Sequence, residues 1–202
     1  LIIMEVLKQL SNAIGPSGFE GDVRDIISKE MKKYVDDISI DKIGNLICHK
    51  KGKGPKVMLA AHMDEVGLMV NEIQEDGKLK FSKIGGIEPF AIIGQKVSVI
   101  GKKKSVTGVV SFLELHEGLA VQSPPSLFHL YVDTGLKKEE LEKAGVRTGS
   151  YIVMKQDFEF LGSEDMLCGK ALDDRAGCYI LVELAKRLKN MKNDIFYVFR
   201  NS

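Results

Sequence analysis

The sequence predicts an α/β fold: an α/β sheet domain carrying an inserted small β-rich, barrel-like domain. Three observations predict it. Val57 to Ala61 is an unbroken apolar run bounded by polar residues, which reads as a strand buried on both faces, and Ile195 to Phe199 reads as a second. Apolar residues at helical spacing accompany both runs. Between them, from about Asn71 to Gly162, the texture changes to short β-type runs separated by glycines, as in a small barrel or sandwich. A β-rich block between two α/β-like halves reads as one domain inserted into another. The expected division is 1–70, 71–162 and 163–202.

Taken in order, Met4, Leu7, Leu10, Ser11 and Ile14 fall on one helical face, so a first helix covers roughly residues 4–14. Gly15-Pro16-Ser17-Gly18 breaks it. Ser17-x-x-Glu20 has capping-box spacing for the next helix, whose inner face carries Val23, Ile26, Ile27, Met31 and Tyr34. Ile38 to Ile40 and Leu46 to His49 read as two short strands joined by an Asp41–Asn45 turn. His49 is expected as an exposed strand residue rather than a ligand. The β-rich block contributes Leu79–Ile84, Lys96–Ile100, Val106–Leu113, Leu130–Val132 and Tyr151–Met154, with one short helix near Lys137–Ala144 that stops at Gly145. Its two histidines, His116 and His129, each stand alone among apolar neighbours and read as structural. Ser123-Pro124-Pro125-Ser126 is its loop-like tract.

The totals exclude several classes. The 202 residues are 44% hydrophobic and 28% charged, the composition of an ordinary globular protein. A net charge of +1 gives no general pull toward nucleic acid or membrane. The Lys50–Lys56 and Lys102–Lys104 clusters flank glycines and read as solvated hairpin tips. Three widely spaced cysteines without a CxxC argue against a disulfide framework and for a reducing, cytoplasmic setting. No secretory pattern and no apolar run near 18 residues is expected to direct the chain to a membrane.

Two stretches carry chemistry. In Val57–Val70, His62 and Asp64 are two apart, so on an extended chain they point to the same side. Ligands of open α/β sheets sit at the carboxyl ends of the strands, and a metal-ligating His needs a carboxylate or carbonyl to fix its tautomer. The alternative is a strand that ends in polar residues because it meets the surface. In Gly169–Gly177, GKALDDRAG, Asp173 and Asp174 fall where an apolar helix begins. They read either as an N-cap with a favourable dipole charge or as a carboxylate shared with His62 in a metal site.

Together, AHMDEVGLMV and the later GKALDDRAG closely resemble the dinuclear metal aminopeptidases that form tetrahedral self-compartmentalising shells. Relatives in that family include glutamyl and deblocking aminopeptidases and some members labelled endoglucanases. Gly15–Glu20, Asp41–Asn45, Ile84-Gly85-Gly86, Leu130–Gly135, Gly145-Val146 and Gly149 resemble further landmarks, so the likeness covers nearly the whole chain. The resemblance implies that His62 ligates one metal, that Asp64 orients His62 in catalysis, and that Asp173 bridges two metals. Asp174 stands where the family has Asn or Asp and is not a ligand. It further implies zinc or cobalt, two per site, hydrolysis of N-terminal residues from peptides, and a homo-oligomer formed through the inserted domain.

The sequence departs from the family after Phe199. The family continues with a Thr-Val-Gln-Glu-Glu type run, whose first Glu is the general base and second a ligand. Here Arg200, Asn201 and Ser202 follow. The expectation is a partial aminopeptidase-like sheet, truncated before the Glu-Glu motif and inactive as it stands, with two ligands where zinc takes at least three. One alternative is a non-catalytic oligomerising remnant. Another is an endoglucanase with Asp64 and Asp173 as its carboxyl pair, although His62 beside them suits a metal better.

Overall fold

A computed structural model describes residues 4–112, 126–163, 165–189 and 191–201. His116, Leu113 and Ser123–Pro125 lie outside the described residues. In chain order the elements are α1 (Glu5–Asn12), α2 (Gly21–Met31), β1 (Asp37–Ile40), β2 (Leu46–Lys50), β3 (Lys56–His62), β4 (Gly67–Ile73), β5 (Leu79–Ile84), β6 (Lys96–Ile100), β7 (Ser105–Phe112), β8 (Leu130–Asp133), α3 (Lys138–Ala144), β9 (Tyr151–Met154), β10 (Glu159–Phe160), β11 (Leu167–Cys168), α4 (Leu172–Arg187) and β12 (Asp194–Arg200). They form two compact units: residues 1–65 with 157–202, and residues 66–156.

The first unit is an α/β sheet in the order β1-β2-β12-β3. β12 pairs antiparallel with β2 and parallel with β3. Ile195, Tyr197 and Phe199 alternate inward along β12 and meet Leu46 and Cys48 of β2 and Ala61 of β3. Leu10, Val23, Ile27 and Met31 of α1 and α2, with Cys178, Leu181, Val182 and Ala185 of α4, complete this core. The helical apolar stripes read in the sequence are the faces that bury here.

Three expectations are corrected in this unit. β3 is not buried on both faces. Among the described residues it pairs with β12 alone, Val57, Leu59 and Ala61 turn one way, and Met58 on the other face is 69% exposed. Ser17 and Glu20 do not form a capping box. The Ser17 hydroxyl donates to Asp64 Oδ2 instead, and Glu20 Oε1 accepts the Gly18 N–H. His49 is half-buried rather than exposed: it stacks on Phe196 with ring centroids 4.1 Å apart, and its Nε2 lies 2.7 Å from Asp194 Oδ1.

The second unit is a closed barrel in the order β4-β5-β8-β7-β6-β9. β7 shows the strict alternation of a barrel wall, with Val106, Val110 and Phe112 inward. β4 spends its length pairing with β5 and β9, so the chain changes unit between Glu65 and Val66. α3 ends where Gly145 takes a left-handed φ of 85°, which a residue with a Cβ adopts only at a cost. His129 is structural: its Nδ1 is 3.1 Å from Ser126 Oγ, and its ring meets the Phe112 ring edge-on. Among the described residues no helix is long and apolar enough to cross a membrane.

Candidate functional site

The site assembles where β3 ends. His62 is in register with Arg200 at the carboxyl ends of two parallel strands, and the Met63 N–H extends the pairing by donating to Arg200 O at 2.8 Å. The ends of strands are where backbone pairing stops and side chains are free to serve a ligand.

The His62 ring lies between two carboxylates. Its Nδ1 is 2.9 Å from Asp64 Oδ1, and its Nε2 is 3.1 Å from Asp173 Oδ1. The two carboxylates differ sharply in solvation, with side-chain exposures of 14% for Asp64 and 95% for Asp173. A hydrogen bond shielded from water is the stronger one, so the Asp64 contact is the stronger hold on the ring.

Asp173 comes from the opening of α4. Backbone angles are non-helical at Asp173 and Asp174, and the peptide between them is cis. Asp174 turns inward: its Oδ1 accepts the Gly177 N–H at 3.1 Å and its Oδ2 accepts the His62 N–H at 3.3 Å. A Cβ at residue 177 would stand 2.2 Å from Asp174 Oδ1, so only glycine fits. The Cys178 thiol donates to His62 O at 3.2 Å, a second tie between the helix and the strand end. Asp174 thus caps the helix, while the exposed Asp173 carboxylate meets His62.

Sequence reasoning missed the support behind this triad. Glu65 is buried and takes the Lys170 ammonium at 2.7 Å on both of its oxygens. Arg175 is fully buried, with its guanidinium 3.9 Å from Glu65 Oε1 and donating to Leu10 O and, at 3.5 Å, to Gly15 O. Burial pushes both the Lys170 ammonium and the Arg175 guanidinium below their ordinary values, against the pull of Glu65. These residues also fix the Gly15–Ser17 loop. The Gly15 N–H donates to Glu65 Oε1 and the Glu65 N–H to Gly15 O, both at 2.9 Å. The signal was in the sequence: Glu65, Lys170 and Arg175 are charged residues inside the two motifs AHMDEVGLMV and GKALDDRAG.

The donor set fits a divalent ion in part. An imidazole nitrogen and a carboxylate oxygen, both acceptors, converge with an outer carboxylate already fixing the imidazole. Among the described residues, no group of three or more His, Cys, Asp or Glu side chains is placed to hold a metal. His62 and Asp173 bring one imidazole nitrogen and one carboxylate oxygen within 3.1 Å of each other.

Residues 44–202 match the model of the M42 glutamyl aminopeptidase family. The lysyl aminopeptidase of Pyrococcus furiosus is 36% identical over 203 residues, covering 98% of this chain and 58% of that protein. An aminopeptidase of the archaeon Desulfurococcus kamchatkensis superposes with a TM-score of 0.92 at 33% identity, covering 100% of this chain and 56% of its own. The TET1 peptidase of Pyrococcus horikoshii, which can assemble into a tetrahedron or a large octahedral shell, superposes with a TM-score of 0.84 at 31% identity, covering 98% of this chain and 60% of its own. The chain spans a little over half the length of these relatives. With the family model matched over most of the chain, and with relatives above 30% identity across it, the chain belongs to the M42 glutamyl aminopeptidase family.

Proposed function

We propose that these residues supply one part of the active site of a divalent-metal aminopeptidase, a hydrolase that releases N-terminal residues from peptides. The observation that carries the reading is the clamped His62 ring, with Nδ1 on Asp64 and Nε2 aimed at Asp173. His62 and Asp173 would be ligands, with Asp173 exposed enough to bridge two ions, and Asp64 would hold the imidazole in the ligating tautomer. Zinc or cobalt suits an imidazole and carboxylate set. Bound there, the ions would polarise the scissile carbonyl and lower the pKa of a water.

What the chain's own residues do is hold two donors at a fixed separation. Asp174 ties the start of α4 to the His62 backbone, and Glu65, Lys170 and Arg175 hold the adjoining loop and helix. The base and three further ligands that the resemblance calls for are not among these 202 residues. The proposed activity is that of the whole enzyme; this chain spans a little over half the length of its relatives. The barrel unit would carry self-association, as the shell-forming relative suggests. A cytoplasmic setting is consistent with three cysteines that form no disulfide among the described residues.

The test joins this chain to the segment of a relative that follows the matched region and carries the Glu-Glu run together with the later acidic and His ligands. Release of amino acids from aminoacyl-nitroanilides is then measured before and after chelation. Metal-dependent release that His62→Ala and Asp173→Ala each abolish is the expected result. Release that survives both substitutions, or no release from an assembled and folded chimaera, would sink the proposal and favour a non-catalytic oligomer.

A further inference from the structure

We infer that Ser17 is a positioning residue for the metal site, acting on His62 through Asp64. The inference rests on the metal reading above and adds to it a residue three elements away in sequence. The Ser17 hydroxyl donates to Asp64 Oδ2 at 2.8 Å, while Asp64 Oδ1 faces His62 Nδ1 at 2.9 Å. Each oxygen of this carboxylate therefore has its own task, and a rotation that loosened one contact would loosen the other.

The need for such a hold follows from the competition around His62. Two carboxylates flank the ring, and each stabilises a different tautomer: Asp64 the Nδ1–H form, Asp173 the Nε2–H form. Only the first leaves Nε2 with a lone pair for a metal. Asp64 prevails to the extent that its plane is fixed and its other oxygen is satisfied, and the Ser17 hydroxyl does both. Ser17 is itself held in place. Pro16 forms a parallel bridge with Glu65, and the loop start is pinned by the paired Gly15 and Glu65 backbone bonds. A Cβ at residue 15 would stand 2.7 Å from the Arg175 guanidinium, so the loop lies against the buried charges with no room to shift. Sequence spacing alone assigned this hydroxyl to a helix cap; the structure gives it to the site.

The test compares Ser17→Ala and Ser17→Thr with the native chain, each shown by far-UV circular dichroism to be folded. The first readout needs no metal. Imidazole nitrogen NMR at mildly alkaline pH, with His62 assigned from a His62→Gln chain, reports which ring nitrogen carries the proton. The native chain and Ser17→Thr are expected to show His62 as Nδ1–H, and Ser17→Ala a mixture with Nε2–H. An unchanged tautomer in Ser17→Ala, or Nε2–H in the native chain, overturns the inference. The second readout is a titration with cobalt(II). Losing a group that orients a ligand costs roughly 10-fold in affinity at the lower end of such effects, and that weakening is expected for Ser17→Ala with recovery in Ser17→Thr. A native chain that takes up no cobalt in either the short or the completed form overturns the metal reading alone, and the tautomer comparison still decides the role of Ser17.

Discussion

Replacing Lys170 with Met tests whether the buried charges behind the site carry structural weight. In the native chain the Glu65 side chain is 3% exposed and takes both of its close ionic contacts from Lys170 at 2.7 Å. Removing one partner of a buried pair costs about 3–5 kcal/mol, because the other charge is left without compensation. Here the compensation is not wholly lost. Arg175 remains 3.9 Å from Glu65, a separation worth about 4 kcal/mol of attraction at an effective dielectric near 20, and the Gly15 N–H still donates. Ala13 O loses its 2.7 Å bond from Lys170 but keeps Arg175 at 3.4 Å. The expected loss is therefore near the lower end, about 3 kcal/mol. The double replacement with Glu65→Gln removes that pair but leaves the buried Arg175 guanidinium without its carboxylate, so the double variant stays destabilised while the two losses sum to less than their additive value. Guanidinium unfolding followed by far-UV circular dichroism is the suitable assay. The sequence has no Trp, and α1, α2 and α4 all lie in the unit that holds these charges. A Lys170→Met loss under about 1 kcal/mol, or a double variant whose losses simply add, would refute the reasoning.

Gly177→Ala should destabilise the α4 start by about 1–3 kcal/mol, because its Cβ would fall 2.2 Å from Asp174 Oδ1 and the cap must move; the same unfolding assay reads it. Burial pushes the Cys48 and Cys178 thiols up to about 12, so a disulfide reagent at neutral pH should label neither in the folded chain and should reach all three cysteines once the chain is unfolded. The His49 hydrogen bond and the Gly52 N–H hold the Asp194 carboxyl below its ordinary 3.8. The unfolded chain then binds more protons in that window, so stability is full above 3.8 and is lost as pH falls through the depressed folded value. Asp194→Asn should flatten that acid limb, and an unchanged limb would count against the pairing.

Strand and helix positions were legible because they rest on periodicity. The barrel strands Leu79–Ile84, Lys96–Ile100 and Tyr151–Met154 appear with the same limits that alternation gave them. β3 misled because an apolar run says nothing about how many strands flank it. Val57 to Ala61 is apolar throughout, yet among the described residues β12 alone pairs with it and Met58 stays exposed. Ser17 misled for another reason. A serine three residues before a glutamate has cap spacing, but a hydroxyl goes to the best acceptor in space, and the half-buried Asp64 carboxylate lies closer to that description than a backbone N–H. His62, Asp64 and Asp173 could be marked from their motifs and from the family resemblance; their separations could not, since 111 positions of sequence part His62 from Asp173.

That long separation explains why so many buried charges surround so small a site. A strand end and a helix start from opposite ends of the chain must meet within a few tenths of an ångström if their donors are to share an ion. Apolar packing of α4 on β3 brings the elements together but has little directional preference. The directional ties are polar: Asp174 to the His62 N–H and Cys178 to the His62 carbonyl join α4 to the strand end, while Lys170 to Glu65 and Arg175 to the Gly15 carbonyl hold a residue just past the strand and the loop after α1. Burying Lys170 and Arg175 works against their ionisation, as their lowered pKa values record. A well-packed apolar set in their place would hold the fold as well. It would not fix the loop that carries Ser17 against the strand end that carries Asp64, which is where the geometry of the candidate site is decided.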